Sequence, residues 1–282
     1  MTLDWNVITL VLLAALLHAS WNAMTKSSAD GLLTIWLITL FSGVLGAIGA
    51  LFVPLPLAAA WPYLIVSAGI HLAYMLFLVR AYRLGDLSRV YPIARGLAPV
   101  VVALLAALFV GERPTIVQAG GLVACCAAIV SLAFADTELS QVSGRAVAAA
   151  VATGLMIATY TVIDGSGVRV AGEPLSYVAW NLLLDGIPLT LVVLFYRRSG
   201  QIRAFIRGNA GTSMAGGAMA ATAYGIVLWA MAQGAMASVS SLRETSVVFA
   251  ALIGTRLLGE PLGTRRMLAA VGVAIGLVVF QM

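Results

Sequence analysis

Apolar stretches of roughly twenty residues succeed one another along the whole of this sequence, separated by short polar breaks. A hydrocarbon layer about 30 Å thick and a helical rise of about 1.5 Å per residue make about 20 apolar residues the length of one crossing. The stretches are continuous and do not alternate. They therefore read as helices, which satisfy their own backbone groups in lipid, and not as barrel strands. Ten are predicted, at residues 4–25, 31–52, 62–83, 89–110, 114–135, 144–165, 174–196, 208–232, 238–258 and 264–281. The fold class is an all-α polytopic membrane protein with ten transmembrane helices. Composition excludes an ordinary soluble domain: 10% of residues are charged, against about 25% in soluble proteins. The start, MTLDWN, lacks a basic region and a small-residue cleavage site, so it reads as the beginning of the first spanning helix and not as a signal peptide.

The longest polar break, Asp136 to Arg145 (DTELSQVSGR), falls mid-chain and reads as a linker between two five-helix halves. The halves resemble each other. GDLSRVYPIARG and the following FVGERPTIVQAGG match GAMASVSSLRET and LLGEPLGTRRMLAAVG, and Trp21 falls opposite Tyr160. Five is an odd number of crossings, so the second copy must enter the membrane inverted, and inverted repeats around a central cavity are a transporter design. The breaks after stretches 1, 3, 5, 7 and 9 carry Lys26, Arg80, Arg83, Arg89, Arg145, Arg197, Arg198, Arg203, Arg207, Arg256, Arg265 and Arg266. The opposite side carries only Arg113 and Arg169. The excess of basic residues marks the cytoplasmic side and puts both termini outside it. Topology thus accounts for the net charge of +5, and no nucleic-acid partner is expected.

Two arginines remain, each inside an apolar stretch: Arg95 in RVYPIARGLAP and Arg243 in SVSSLRETSVV. Each lies 16 residues before a Gly-Glu pair, Gly111-Glu112 and Gly259-Glu260. A charge at membrane depth costs roughly 2.5–3.5 kcal/mol, so it calls for a function or a partner. Tyr91, Arg95, Ala98, Pro99 and Val102 share one helical face, and Pro92 and Pro99 invite a bend. Arg95 reads as a bidentate ligand for a substrate carboxylate or phosphate, or as a structural charge bonding loose carbonyls. Arg243 and Glu244 are adjacent, so their side chains diverge by about 100°. With Ser240, Ser241, Thr245 and Ser246 they form either a cavity wall at a broken helix or a capped helix start. Entering from opposite faces of inverted halves, the two arginines are expected at opposite ends of the cavity. One then serves each facing state, or pairs with Glu244 or Asp185 as a gate.

Other polar and aromatic residues recur at helical spacing. His18, Trp21, Asn22 and Thr25 share a face in the first stretch, and His71, Tyr74 and Tyr82 in the third. Thr153, Tyr160, Thr161 and Asp164 do so in the sixth, and Thr222, Trp229 and Gln233 in the eighth. Such stripes must face protein or water. They suit a small zwitterion, with arginine for its carboxylate and ring faces for its ammonium. They equally suit interhelical bonding and an interfacial aromatic belt, to which Tyr82 is assigned. The candidate substrate-binding residues are His18, Trp21, Asn22, His71, Tyr74, Tyr91, Arg95, Tyr160, Trp229, Arg243 and Glu244. His71, Asp185 and Glu244 are the candidates for coupling or gating, because histidine titrates near physiological pH. Cys125 and Cys126 read as packing residues, and no metal or cofactor is expected. Gly111-Glu112-Arg113-Pro114 and Gly259-Glu260-Pro261 read as structural turns, with the glutamate at the start of the next helix. Gly43, Gly46, Gly49, Gly272 and Gly276 permit close helix packing.

The segments HASWNAMTK, YPIARGLAP and LRETSVVFAALIG, with a Gly-Glu after the fourth and ninth stretches, resemble the EamA family of the drug/metabolite transporter superfamily, over almost the whole chain. The resemblance implies repeats at 1–136 and 144–282 joined by a linker at 137–143. It further implies a cavity formed mainly by spans 1, 3, 4, 6, 8 and 9, a bacterial inner-membrane location, and export of amino acids or related metabolites. Two departures stand out: Ser246-Val247 occupies the place of a family Glu-Pro pair, and the charge bias puts the termini opposite to the usual family description. The expected function is non-enzymatic: alternating-access export of a small molecule such as an apolar or aromatic amino acid, with protons as one possible drive. No Walker-type phosphate loop is present. Export of drugs or of sugar-phosphate-like metabolites is the alternative, and a membrane-embedded lipid-modifying enzyme is the more distant one. The partners are substrate and bilayer, and both monomer and dimer stay open.

Overall fold

The computed structural model describes residues 4–26, 28, 30–85, 87–132, 143–258 and 264–281. The helices are α1 Trp5–Lys26, α2 Gly31–Ala50, α3 Trp61–Leu84, α4 Leu87–Phe109 and α5 Ile116–Leu132, then α6 Gly144–Val170, α7 Pro174–Tyr196, α8 Ser199–Gln233, α9 Met236–Arg243, α10 Ser246–Leu258 and α11 Thr264–Gln281. A single 3₁₀ turn, Ala58–Ala60, precedes α3. Among the described residues, seven helices (α1–α4 and α6–α8) are long and apolar enough to cross a membrane, and α5 and α11 carry shorter apolar segments. Large apolar side chains such as Phe52, Phe109, Ile116 and Phe195 stand exposed on the outside, as lipid contact requires. The expected linker at 137–143 lies almost wholly outside the described residues, and so do Gly259-Glu260-Pro261 and the side chains of Arg89, Arg256, Arg265 and Arg266.

Two elements depart from the expected boundaries. Helix α8 begins at Ser199, well before the predicted 208. Its first turns are amphipathic: Ile202, Phe205 and Ile206 pack against α2 and α3, while Arg203 and Arg207 are exposed. Hydropathy falls in such a turn although the helix does not stop. The ninth stretch is interrupted. Glu244, Thr245, Val247 and Val248 donate their N–H groups to carbonyls three residues back, not four. The chain tightens into a 3₁₀ turn there, and the side-chain hydroxyls of Ser241 and Thr245 bond back to Ser238 and Leu242.

The most extensive helix pairings are α5 with α11, α3 with α6, α2 with α7, α4 with α6, α1 with α8 and α2 with α8. Glycine sets two of these crossings. A Cβ on Gly46 would meet the Ala179 carbonyl and Leu183 nitrogen at 2.7 Å, and one on Gly276 would meet the Cys125 nitrogen at 2.6 Å. Cys125 and Cys126 are buried free thiols in the same interface.

Charged side chains tie the two ends. At one, Asp30 caps α2 by accepting from the Leu33 N–H at 3.2 Å and pairs with Arg197 at the end of α7, 2.7 Å away. At the other, Gly111 takes φ +81 after α4, the left-handed conformation that ends helices. Glu112 then reaches across the bundle. It pairs with Arg169 at 2.7 Å and accepts from the Met236 N–H at 2.8 Å, capping α9. The expectation that Glu112 serves the next helix, α5, is corrected by this contact: a turn with positive φ redirects the side chain away from its own neighbour.

Candidate functional site

Arg95 is 3% exposed and Glu244 is fully buried, with Arg95 Nε 3.0 Å from Glu244 Oε2. Arg95 Nη2 donates to the Arg243 carbonyl at 3.3 Å and to Ser246 Oγ at 3.1 Å. The local backbone explains the first bond. Because Val247 N–H turns to the Glu244 carbonyl, the Arg243 carbonyl loses its intrahelical donor, and a guanidinium supplies one instead. Arg243 is itself buried, and its Nη2 lies 3.4 Å from Thr161 Oγ1 on α6. The two arginines therefore sit in one group, not at opposite ends of a cavity. The interruption between α9 and α10 brings the backbone of the second to the side chain of the first.

A second buried group adjoins it. His71 stacks on Tyr160 with ring centroids 4.0 Å apart, and Tyr74 and Tyr224 meet it edge-on. His71 Nδ1 lies 3.1 Å from Ser67 Oγ and 3.4 Å from Asp185 Oδ2. Asp164, also fully buried, accepts from Tyr177 at 2.8 Å, from Asn181 at 3.2 Å and from Tyr224. Tyr74 and Tyr160 lie within electrostatic reach of both Arg95 and Arg243. The joint cluster thus draws on α3, α4, α6, α7, α8, α9 and α10.

The remaining candidates divide. His18 meets Trp21 edge-on at 5.1 Å and lies within electrostatic reach of both arginines. Tyr91, one turn before Arg95, packs on the α5–α10–α11 core. Asn22 donates to the His18 carbonyl at 2.8 Å and lines a separate cavity of about 400 Å³ with Thr25, Asp30, Tyr82, Arg83 and Arg197. Tyr82 therefore faces a polar cavity and not a belt. Trp229 packs on the apolar core formed by α1, α3, α6, α7, α8 and α9, which also takes in Tyr177 and Tyr224 of the second group. Thr222 and Gln233 are exposed. The i, i+3, i+4 rule puts residues on a face without saying which face turns inward.

Asn181, Tyr177, Ser67 and Tyr224 were not among the expected site residues. Three had a readable signal: Tyr177, Asn181 and Asp185 form an i, i+4, i+8 stripe on α7, and Ser67 precedes His71 by four. Tyr224 had none. Gly167 completes the arrangement, since a Cβ there would meet the Tyr177 ring at 2.5 Å. Several buried atoms make no hydrogen bond among the described residues: Trp21 Nε1, Arg243 Nε, Asp185 Oδ1, Ser240 Oγ and Glu244 Oε1, while Glu244 Oε2 is held by Arg95 alone. Such atoms are costly unless something bonds them. The group thus combines paired charges, aromatic faces and spare polar capacity inside a bundle of apolar helices, where ionisable residues mark a candidate functional site.

No curated protein matches this chain. A solved crystal structure is similar at 18% identity, with a TM-score of 0.76, over 97% of this chain and 96% of its own, and at that identity the likeness is one of fold. Residues 144–282 match the model of the EamA-like transporter family. Those residues are an EamA-like transporter domain, which belongs to the drug/metabolite transporter superfamily.

Proposed function

We propose that this protein exports amino acids, apolar or aromatic ones foremost, or related small metabolites across a bacterial inner membrane by alternating access. The observation that carries the reading is the buried Arg95–Glu244–Arg243 group at the interruption between α9 and α10. A substrate carboxylate competes with Glu244 for Arg95, whose planar fork binds carboxylates bidentately. Glu244, once released, and the ring faces of Trp21, Tyr74 and Tyr160 suit an ammonium and an apolar side chain.

Two repeats, 1–136 and 144–282, inserted in opposite senses, are the architecture we infer. The packing supports it. If α1–α3 correspond to α6–α8, α4 to α9 and α10, and α5 to α11, the α1–α8 and α3–α6 interfaces are equivalent. So are α2–α8 with α3–α7, and α4–α6 with α1–α10, while α2–α7 and α5–α11 map onto themselves. The cavity at Asn22 opens at the arginine-rich end, and the Glu112–Arg169 pair ties the opposite end. With the basic end cytoplasmic, this arrangement faces inward.

The test is exchange of radiolabelled amino acids by purified protein in liposomes. Leucine or phenylalanine is expected to move with the wild type. Arg95→Ala and Arg243→Ala are expected to insert normally and to lose transport. A double variant moving substrate at the wild-type rate would remove the arginine site from the mechanism.

A further inference from the structure

Beside the arginine group runs a chain of hydrogen bonds that joins the fully buried carboxylate of Asp164 to the largely buried one of Asp185. From Asp164 it passes to Asn181 Nδ2 at 3.2 Å, to Ser67 Oγ at 3.5 Å, to His71 Nδ1 at 3.1 Å and to Asp185 Oδ2 at 3.4 Å. The two ends differ. Asp164 is saturated by donors from Tyr177, Asn181 and Tyr224. Asp185 meets a single imidazole nitrogen, and its buried Oδ1 has no hydrogen-bond partner among the described residues. A buried carboxylate with so few donors is expensive to keep charged, and one proton removes that cost.

The groups facing His71 are few. They are Ser67 and Tyr74 from its own helix, Tyr160 from α6, Asp185 from α7 and Tyr224 from α8, with Arg243 of α9 in electrostatic reach and Asp164 and Asn181 one hydrogen bond further out. With Asp164 held by its three donors, the imidazole and the Asp185 carboxylate are the groups here whose ordinary titration lies below that of a tyrosine hydroxyl or an arginine.

We propose that the His71–Asp185 pair binds the proton that drives export, with Asp164 as a fixed negative charge at the far end of the hydrogen-bond chain. The proposal rests on the transporter reading above. One proton is taken from solvent, and the pair changes from net −1 to neutral. In the protonated state the Asp185 O–H donates to His71 Nδ1, and the imidazole keeps its proton on Nε2. On release, the Asp185 proton passes to His71 Nδ1 and the proton on Nε2 leaves to solvent, so that the carboxylate is charged and the new Nδ1–H has the Ser67 carbonyl as an acceptor, 3.2 Å away. The route to the substrate group is one residue step along α6: Tyr160 stacks on His71, and the next residue, Thr161, contacts Arg243. A change of charge at the pair is therefore felt at the arginine through adjoining residues.

The experiment is an infrared difference titration of the purified full-length protein between mildly acidic and mildly alkaline pH, which reads the protonated-carboxyl stretch directly. The expected result is one such band that is lost in Asp185→Asn, shifts in His71→Gln and persists in Glu244→Gln. In proteoliposomes, with leucine and phenylalanine as probes, stimulation by an imposed pH gradient is expected to vanish in His71→Gln. A band unchanged in both Asp185→Asn and His71→Gln overturns the proton site and leaves the transport reading standing. A wild type that moves neither probe counts against the transport reading, and the infrared titration still decides the proton site. Should Asp185→Asn fail to fold, His71→Gln gives the same decision: an unshifted band overturns the proposal.

Discussion

Arg95 and Glu244 lie far apart in the chain, and their contact decides what each is for. Both are almost fully buried, so removing one leaves the other as an uncompensated charge, at a cost of about 3–5 kcal/mol. Replacing both by apolar residues removes the two charges together. Arg95→Met alone is therefore expected to lower the melting temperature of the purified protein markedly. Arg95→Met combined with Glu244→Met is expected to recover most of that loss while transport stays absent. A double variant as unstable as the single one would mean that the pair is not coupled. At this scale the cost of a charge in an apolar stretch was legible from sequence: Arg95, Arg243, Glu244, His71 and Asp185 were all singled out. Their partners were not. Nothing in spacing tells that Asp185 meets His71 or that Arg95 meets the Arg243 carbonyl, because those contacts cross from one helix to another. The α7 stripe of Tyr177, Asn181 and Asp185 is legible in the spacing alone.

Helices were legible wherever apolarity was continuous and harder to bound where it was not. The start of α8 is charged yet helical, because one face still packs. The break at Glu244-Thr245 was open as one of two readings of a serine-rich stretch, and the hydroxyl back-bonds and 3₁₀ turn resolve it. Close packing at this scale makes a graded prediction. Gly46→Ala and Gly276→Ala each force a methyl group into neighbouring backbone and should destabilise by about 1–3 kcal/mol. Gly69→Ala, with nothing within 4 Å, should be neutral or gain a little from helix propensity. Thermal unfolding of the three variants, followed by circular dichroism in one detergent, checks the order. Equal midpoints would mean that these crossings are looser than their glycines imply.

Across the whole molecule, Glu112 and Arg169 act as a strap. Arg169 also donates to the Met231 and Gly234 carbonyls, so the ends of α4, α6 and α8 and the start of α9 are held together. Glu112→Gln weakens the charge pair and should favour opening at that face. In a Cys125→Ala/Cys126→Ala background carrying Ala232→Cys, it should speed labelling by a membrane-impermeant thiol reagent several-fold in spheroplasts. No such gain is expected in inside-out vesicles. A gain only in the vesicles would reverse the assigned orientation, and no gain in either would show that the strap does not gate. From the sequence alone come the membrane class, the number of apolar stretches, the likeness of the two halves and the identity of most buried charges. Those follow from hydropathy and helical period, which are properties of one segment at a time. Only the tertiary structure decides that the two arginines share one group, that Glu112 caps α9 and not α5, that Trp229 lies in the apolar core, and that Asp164 is wired through Asn181 and Ser67 to His71. Each of these depends on which face of one helix meets which face of another, and close packing of small residues between distant segments sets that choice.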